Sequence, residues 1–270
     1  MSNLTWNEFL EVATKLREQS GMPVFPAFGY DYSEILQLMM QAAGKTFFDE
    51  AGDIYLRKNV ALRESSQVIK EMFDRELVED PSKDSGQSII QQEELIRVST
   101  LKFVESLKAA EVPAGEWTYV RPPKLESVPN ATHYGSKDGA SWFVLQASEN
   151  KETAVDFLKQ EFAGNMELYH DLLSNYAEIG TMVSLYDGGI YQKKEDILDD
   201  KKVYEDFSTW ATEIPSLAYN PYQRLAEDAL LSVFDDYLTG KLNLDEMLQK
   251  AEDQFQTLRS KEAEKHLWTE

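Results

Sequence analysis

Near the amino terminus, apolar residues recur at the spacing of one face of an α-helix. Thr5 and Glu8 stand three residues apart, which is the spacing of a capping box at the start of a helix. The sequence therefore predicts a helix that begins at Trp6. Apolar residues continue from Phe9 at intervals of three and four, and Gly21 is the residue expected to end this helix.

The same spacing predicts further helices along the chain. The second is expected from about Ser33, and others are expected over 59–77 and 89–108, on either side of a polar linker at 79–88. Most of the chain after residue 150 also has a helical pattern. The expected breaks in that part are three: Gly188 with Gly189, Pro215, and Gly240.

Short apolar runs bounded by glycine or proline predict strands between these helices. They lie at 24–28, 117–120 and 141–147, and two short apolar arms around an acidic turn predict a hairpin at 47–56. The combination predicts an α/β protein in which helices pack around a sheet.

The charge balance excludes two classes of partner. The 270 residues include 48 acidic and 27 basic side chains, which give a net charge of −21. Phosphate backbones and anionic membrane surfaces are repelled by such a chain, so no nucleic-acid partner is expected. There is no cysteine, which excludes disulfides and thiolate metal sites. The length and the even spread of aromatic residues predict two lobes.

Motifs for catalysis, metals and cofactors were not found. The sequence lacks the glycine-rich nucleotide loops, the serine-hydrolase elbow and the zinc-protease motif, and its three histidines share no metal-ligand spacing. Adjacent acidic pairs such as Asp199-Asp200 could supply the two carboxylates of a glycosidase, but neighbours on a helix point apart. We therefore predict no catalytic residue, no metal site and no cofactor.

Aromatic residues in or beside predicted loops are the strongest indication of a ligand. A ring with hydrogen-bonding groups nearby suits the apolar face and the hydroxyls of a sugar. The alternative is that these rings pack in the core or at its boundary. The residues concerned are Tyr30, Tyr32, Tyr134, Trp142, Tyr219 and Tyr222.

Several blocks of sequence resemble one protein family. Residues 4–9 read Leu-Thr-Trp-Asn-Glu-Phe, and residues 41–49 contain Gln-Ala-Ala-Gly followed by Phe-Phe-Asp. The longest block runs over 130–158, with a glycine-bordered apolar segment, the turn Ser-Glu-Asn-Lys and a helix. Ile-Pro-Ser at 214–216 and Leu-Thr-Gly-Lys at 238–241 complete the series.

In this order and spacing, the blocks resemble the extracellular solute-binding proteins of carbohydrate ABC transporters, the family that includes maltose-binding protein. The resemblance implies a periplasmic-binding-protein-like fold that lacks a signal sequence and part of the amino-terminal lobe. It also implies three parts: the main part of the carboxy-terminal lobe at 1–147, helices at 148–205 that pack partly on the amino-terminal lobe, and a helical return to the carboxy-terminal lobe at 206–270.

The resemblance assigns ligand-facing residues by position. Relatives often place a sugar-stacking tryptophan where this chain has Lys102, and lysine cannot stack as an indole does. The residues that the resemblance brings to the ligand are Tyr30, Asp31, Tyr32, Lys102, Tyr134, Trp142, Tyr219 and Tyr222.

The function implied is non-enzymatic sugar binding for an ABC transporter permease, outside the cell or in the cell envelope. The expected partners are a sugar, the permease and either a missing amino-terminal lobe or a second copy of the chain. Two other classes stay open. A carbohydrate-active enzyme would need a carboxylate pair across the same cleft, and a scaffold or sensor would keep the fold without binding sugar.

Overall fold

The computed structural model describes residues 3–25, 31–78, 95–136, 141–182, 184–187 and 189–266. The chain divides into two compact units. Unit 1 comprises Met1–Arg97, Arg121–Lys137 and Ile214–Glu270, and unit 2 comprises Val98–Val120 and Asp138–Glu213. The three-part division expected from the resemblance remains a prediction.

The first helix, α1 (Trp6–Ser20), forms as predicted from its capping residues. The backbone N–H of Glu8 donates to the Thr5 hydroxyl at 3.3 Å, and the Glu8 carboxylate accepts from the Thr5 N–H at 2.8 Å. Gly21 ends the helix with φ +72°, a left-handed conformation that glycine adopts without steric cost. The predicted boundaries of α1 are therefore confirmed.

The other α-helices follow in chain order. They are α2 (Asp31–Ala42), α3 (Val60–Asp74), α4 (Lys102–Ala109), α5 (Lys151–Gly164), α6 (Met166–Tyr176), α7 (Ser184–Asp187), α8 (Val203–Ala211), α9 (Gln223–Leu238) and α10 (Leu244–His266). In the described part of the chain, short 3₁₀ turns accompany them at Leu56–Lys58, Ile190–Gln192 and Asp196–Leu198.

Each unit has its own apolar core. In unit 1, α9 packs on α10 and α2 packs on α3, and the fully buried side chains include Trp6, Phe234 and Phe255. In unit 2, a smaller core gathers Leu107 of α4 with Leu185 and Tyr204. Burial of apolar faces at these positions is what holds the helices of each unit together.

The predicted sheet is not confirmed. Within the described residues, β-pairing is limited to isolated bridges, among them a parallel bridge between Phe25 and Val78 and an antiparallel bridge between Phe48 and Ile54. The second bridge closes the hairpin predicted at 47–56. The segments at 117–120 and 141–147 form no strand in the structure.

Two predicted helix boundaries were wrong. Helix α2 begins at Asp31, two residues before the expected start, so its first turn replaces part of a predicted loop. Helix α4 begins only at Lys102, although a helix was predicted from residue 89; residues 89–94 lie outside the described part. The Ile96 N–H donates to the Val24 carbonyl at 3.1 Å, so a tertiary contact takes up this N–H in place of a helical one.

In the part of the chain that the structure describes, none of the helices combines the length and the apolar character needed to cross a membrane.

A buried carboxylate attaches the segment after residue 124 to α3. Glu64 accepts the backbone N–H groups of Glu126 at 2.7 Å and Ser127 at 2.9 Å.

We expect Glu64→Gln to lower the free energy of unfolding by about 1 to 3 kcal/mol, because an amide NH₂ then faces a buried backbone donor. Urea unfolding would measure this. The exposed Glu50→Gln is the control, and equal unfolding midpoints for the two variants would contradict the assigned role.

Candidate ligand-binding site

Three loops of unit 1 meet where α2 ends and α9 begins. The Thr132 N–H donates to the Ala42 carbonyl at 2.7 Å, which ties the 131–136 loop to the end of α2. The Cβ of Pro215 lies 3.5 Å from the position that a side-chain carbon on Gly44 would occupy. Tertiary contacts therefore gather parts of the chain that are far apart in sequence.

Tyr219 and Tyr222 lie in the loop that precedes α9. The Asn220 side chain accepts the Tyr222 N–H at 2.9 Å and donates to the Gly52 carbonyl at 3.3 Å, which fixes this loop against the 47–56 hairpin. Proline at 215 and 221 keeps the loop out of regular helix. The Tyr219 ring is exposed, so it is open to a ligand.

The Tyr222 ring is held from two sides. Its edge faces Phe255 of α10 with ring centroids 6.4 Å apart, and the guanidinium carbon of Arg259 lies 5.1 Å from its centroid. A cation over a tyrosine face is an attractive arrangement. Sequence reasoning missed Arg259, because only a tertiary contact brings α10 to this ring.

Tyr134 belongs to the same end of unit 1. The guanidinium carbon of Arg121 lies 5.8 Å from its ring centroid, and the Thr132 hydroxyl accepts the Tyr134 N–H at 3.1 Å. The neighbouring His133 places Nδ1 2.8 Å from the Pro122 carbonyl, which gives that histidine a structural contact. Arg121 was also missed from the sequence, because only the tertiary structure places its guanidinium over the Tyr134 ring.

Tyr32 lies elsewhere, and its predicted position in a loop was wrong. It sits in the first turn of α2, where its ring stacks on Phe234 with centroids 5.2 Å apart. Burial, with the nearby Asp235 carboxylate, raises the pKa of the Tyr32 hydroxyl to about 12. Phe234 follows Tyr222, the residue before α9, by 12 residues. The Tyr32 ring on Phe234 therefore lies about 18 Å from Tyr222 along the axis of that helix.

The other two predicted ligand-facing residues near α2 are Tyr30 and Asp31. Tyr30 lies outside the described residues, and Asp31 is described only as the first residue of α2.

In unit 2, Lys102 lies at the edge of a shallow concavity of about 510 Å³. Its ammonium group pairs with Glu178 at 2.8 Å. The concavity also exposes the ring of Tyr176, which was missed from the sequence because it lies within a predicted helical stretch rather than in a loop. Trp142, also in unit 2, packs on Phe162 of α5 with centroids 5.1 Å apart.

These surfaces offer rings, hydroxyls and paired cations, which suit non-covalent binding of a neutral, hydroxyl-rich ligand. Among the described residues there is no group of three or more potential metal ligands.

Comparison with known proteins shows what the chain as a whole is similar to. No protein-family model matches the chain. A lactose-binding protein of Rhizobium radiobacter is 28% identical over 257 residues, which cover 94% of this chain and 60% of that protein. The chain resembles a sugar-binding protein, as its sequence predicts.

Solved structures agree on the fold. One is an ABC transporter associated binding protein from B. animalis subsp. lactis Bl-04 in complex with β-1,6-galactobiose, with a TM-score of 0.66, 17% identity, and coverage of 92% of this chain and 64% of that one. Another is maltose-bound MalE3 of T. maritima, with a TM-score of 0.64, 13% identity, and coverage of 96% and 66%. These likenesses show a periplasmic-binding-protein-like fold, while the predicted packing of helices around a sheet is not confirmed.

The chain spans about 60% of the length of the lactose-binding relative and 64% of the galactobiose-binding structure. The remaining 40% of the first protein and 36% of the second have no counterpart in residues 1–270.

Proposed function

We propose that this chain is a carbohydrate-binding part of an ABC transporter and that it makes and breaks no covalent bond. The observation that carries the proposal is the match of 94% of the chain to a lactose-binding protein. The loop tyrosines of unit 1 support it, because a sugar can stack on their rings while its hydroxyls bond to polar groups nearby.

The ligand-facing surface that we propose centres on Tyr134, Tyr219 and Tyr222. The guanidinium groups of Arg121 and Arg259 lie over the rings of Tyr134 and Tyr222, in an attractive cation–π arrangement. Tyr30, Asp31, Tyr32, Lys102 and Trp142 remain proposed ligand-facing residues on the family resemblance alone.

We also propose that the chain corresponds to most of the carboxy-terminal lobe of such a protein, with helices packed around a sheet. The partners would be a sugar and a membrane permease, and the location would be outside the cell or in the cell envelope. The resemblance to solute-binding proteins supports each of these points.

Calorimetric titration with lactose, β-1,6-galactobiose and maltose tests the function. A micromolar two-lobed complex corresponds to about −8 kcal/mol, and half of the contacts to about −4 kcal/mol, so we expect roughly millimolar affinity for residues 1–270. Submicromolar affinity would contradict this half-site account. Sugar turnover would instead favour an enzyme, and a blank titration with a co-purifying protein would favour a scaffold.

Tyr219→Ala and Tyr222→Ala test the proposed surface. Each is expected to weaken binding of a sugar by about 1 to 3 kcal/mol, because an aromatic stacking surface is lost. Ligand-observed NMR detects binding in this millimolar range. Phe157→Ala, which removes an exposed ring on α5 of unit 2, is the control. Unchanged affinity in both the Tyr219 and Tyr222 variants would refute the placement of the site.

A further inference from the structure

A polar cavity of about 560 Å³ opens in unit 1, between α1, α3 and α9. Its walls include Leu10 of α1, Glu64 and Val68 of α3, and Tyr237 of α9. Tyr237 follows Tyr222 by 15 residues, which places it about 22 Å from Tyr222 along the axis of α9. The cavity is therefore separate from the proposed sugar-binding surface.

The carboxylate of Glu64 lines this cavity without a basic partner. Glu64 is 7% exposed, and its two oxygens each accept one backbone N–H, from Glu126 and Ser127. Among the described residues, no lysine, arginine or histidine forms an ion pair with it. A carboxylate oxygen can accept two hydrogen bonds, and a buried carboxylate is normally paired with a cation. Glu64 therefore has room for a further donor that carries positive charge.

The basic groups at the cavity already contact other carboxylates. Arg75 contacts Glu11 at 2.8 Å and Glu71 at 2.9 Å, and the ammonium group of Lys70 pairs with a carboxylate one helical turn later. One guanidinium thus serves two carboxylates. The negative charge of Glu64 consequently stays uncompensated by these neighbours.

Tyr237 supplies a second polar group that lacks a partner. It is 6% exposed, and its ring packs edge-on against Phe234 with centroids 5.8 Å apart. Its hydroxyl forms no hydrogen bond with the residues that the structure describes. Burial, with the nearby Asp74 and Glu71 carboxylates, raises the pKa of this hydroxyl to about 12. It is therefore a neutral hydroxyl at pH 7, and its oxygen can accept a hydrogen bond.

These groups fit an organic ammonium ion. A primary ammonium carries a positive charge and three N–H donors, so it can donate to more than one acceptor of the cavity. Leu10 and Val68, each 2% exposed, give the cavity an apolar wall for a carbon chain. A metal ion fits less well, because the described residues contain no group of three or more potential metal ligands.

We propose that this cavity binds a small organic amine, whose primary ammonium group pairs with Glu64 and donates to the Tyr237 hydroxyl. The carbon chain of the amine lies against Leu10 and Val68. The net charge of −21 attracts cations to the protein and so favours the encounter. The inference does not rest on the proposed sugar binding.

Titration with n-butylamine, followed by amide NMR spectroscopy, tests the proposal in the absence of sugar. The backbone amides of Glu126 and Ser127 donate to Glu64, so their signals report directly on this carboxylate. We expect both signals to shift and to reach saturation at low salt, and we expect weaker binding at high salt because the charges are screened. n-Butanol has the same carbon chain without the charge and should leave both signals unchanged.

Three variants distinguish this cavity from a general attraction of amines to an acidic protein. Tyr237→Phe keeps the ring and removes the hydroxyl, so it should weaken binding of n-butylamine about threefold or more. Glu64→Gln removes the charge and should weaken binding about tenfold or more. Tyr55→Phe is the matched control, because Tyr55 also lies near a carboxylate, that of Asp49, but does not line the cavity.

Several outcomes would overturn the proposal. They are shifts that never saturate, equal shifts with n-butanol, and unchanged binding by Tyr237→Phe. That variant loses no hydrogen bond within the described protein, so it stays informative even though Glu64→Gln also weakens the fold. Larger shifts of the same two signals with Mg²⁺ than with n-butylamine would identify a metal ion as the occupant instead.

Discussion

Replacing Phe255 with alanine is expected to lower the free energy of unfolding of unit 1 by about 3 to 5 kcal/mol. Phe255 of α10 is completely buried, and its ring contacts Phe48 of the hairpin and Tyr222 before α9, at centroid distances of 5.7 and 6.4 Å. Truncation leaves a cavity where three separate parts of the chain meet. Urea unfolding followed by tryptophan fluorescence measures the loss.

The matched control is Phe157→Ala on α5, where the same side chain is exposed. It should change stability by less than about 0.5 kcal/mol, because no packed contact is removed. If Phe255→Ala lowered the free energy of unfolding as little as this control does, the assigned packing of α10 against the loop of Tyr219 and Tyr222 would be wrong. The same result would remove the support for Tyr222 in the proposed site.

Replacing Glu195 with glutamine is expected to destabilise unit 2 by about 2 to 3 kcal/mol. The Glu195 side chain is 3% exposed and pairs with Lys108 and Lys193, each at 2.9 Å. Removing one partner of a fully buried pair costs about 3 to 5 kcal/mol. We expect the smaller loss of about 2 to 3 kcal/mol because both lysine side chains are partly in contact with water.

The cost of this substitution should depend on pH. Burial raises the pKa of Glu195, but hydrogen bonds from Lys193, Lys108 and Tyr204 outweigh it, so the pKa lies below the ordinary value of 4.5. A carboxyl with a depressed pKa stabilises the fold above its unfolded-state pKa, and this contribution is lost as pH falls through the folded-state pKa. Wild type and Glu195→Gln should therefore differ fully at pH 7 and converge below about pH 4.5.

Thermal unfolding of both proteins between pH 3 and pH 8 provides the measurement. Glu116→Gln, an exposed substitution in the same unit, is the control and should show no such convergence. A difference between wild type and Glu195→Gln that persisted unchanged to pH 3 would show that the ion pairs do not carry the effect. Because Lys108 belongs to α4, the loss would also loosen the helix that carries Lys102.

The predicted features that the structure confirms depend on neighbours in the sequence. The capping box of Thr5 and Glu8 and the left-handed Gly21 define α1 through contacts within a few residues. The 47–56 hairpin likewise closes through the nearby pair Phe48 and Ile54. Short-range hydrogen bonds and steric limits determine such elements, so periodicity and capping residues are sufficient to predict them.

The order of motifs in the sequence also indicated sugar binding. The arginines that lie over the tyrosine rings could be identified only from the tertiary structure. Arg259 reaches Tyr222 from a helix that begins 22 residues later, and Arg121 reaches Tyr134 across a loop. No local pattern marks either arginine, because their contacts depend on how α10 and the 121–136 segment pack.

By itself, the sequence determined the main helices, the turns that end them and the resemblance to sugar-binding proteins. The tertiary structure decided the features that depend on long-range contacts. One is the non-helical segment before α4, where Ile96 bonds to Val24, and another is the packing of Tyr32 against Phe234. Among the described residues, it also left the predicted strand at 141–147 without a pairing strand. The physical reason is that a helix satisfies its own backbone hydrogen bonds, whereas a strand forms only where another segment pairs with it.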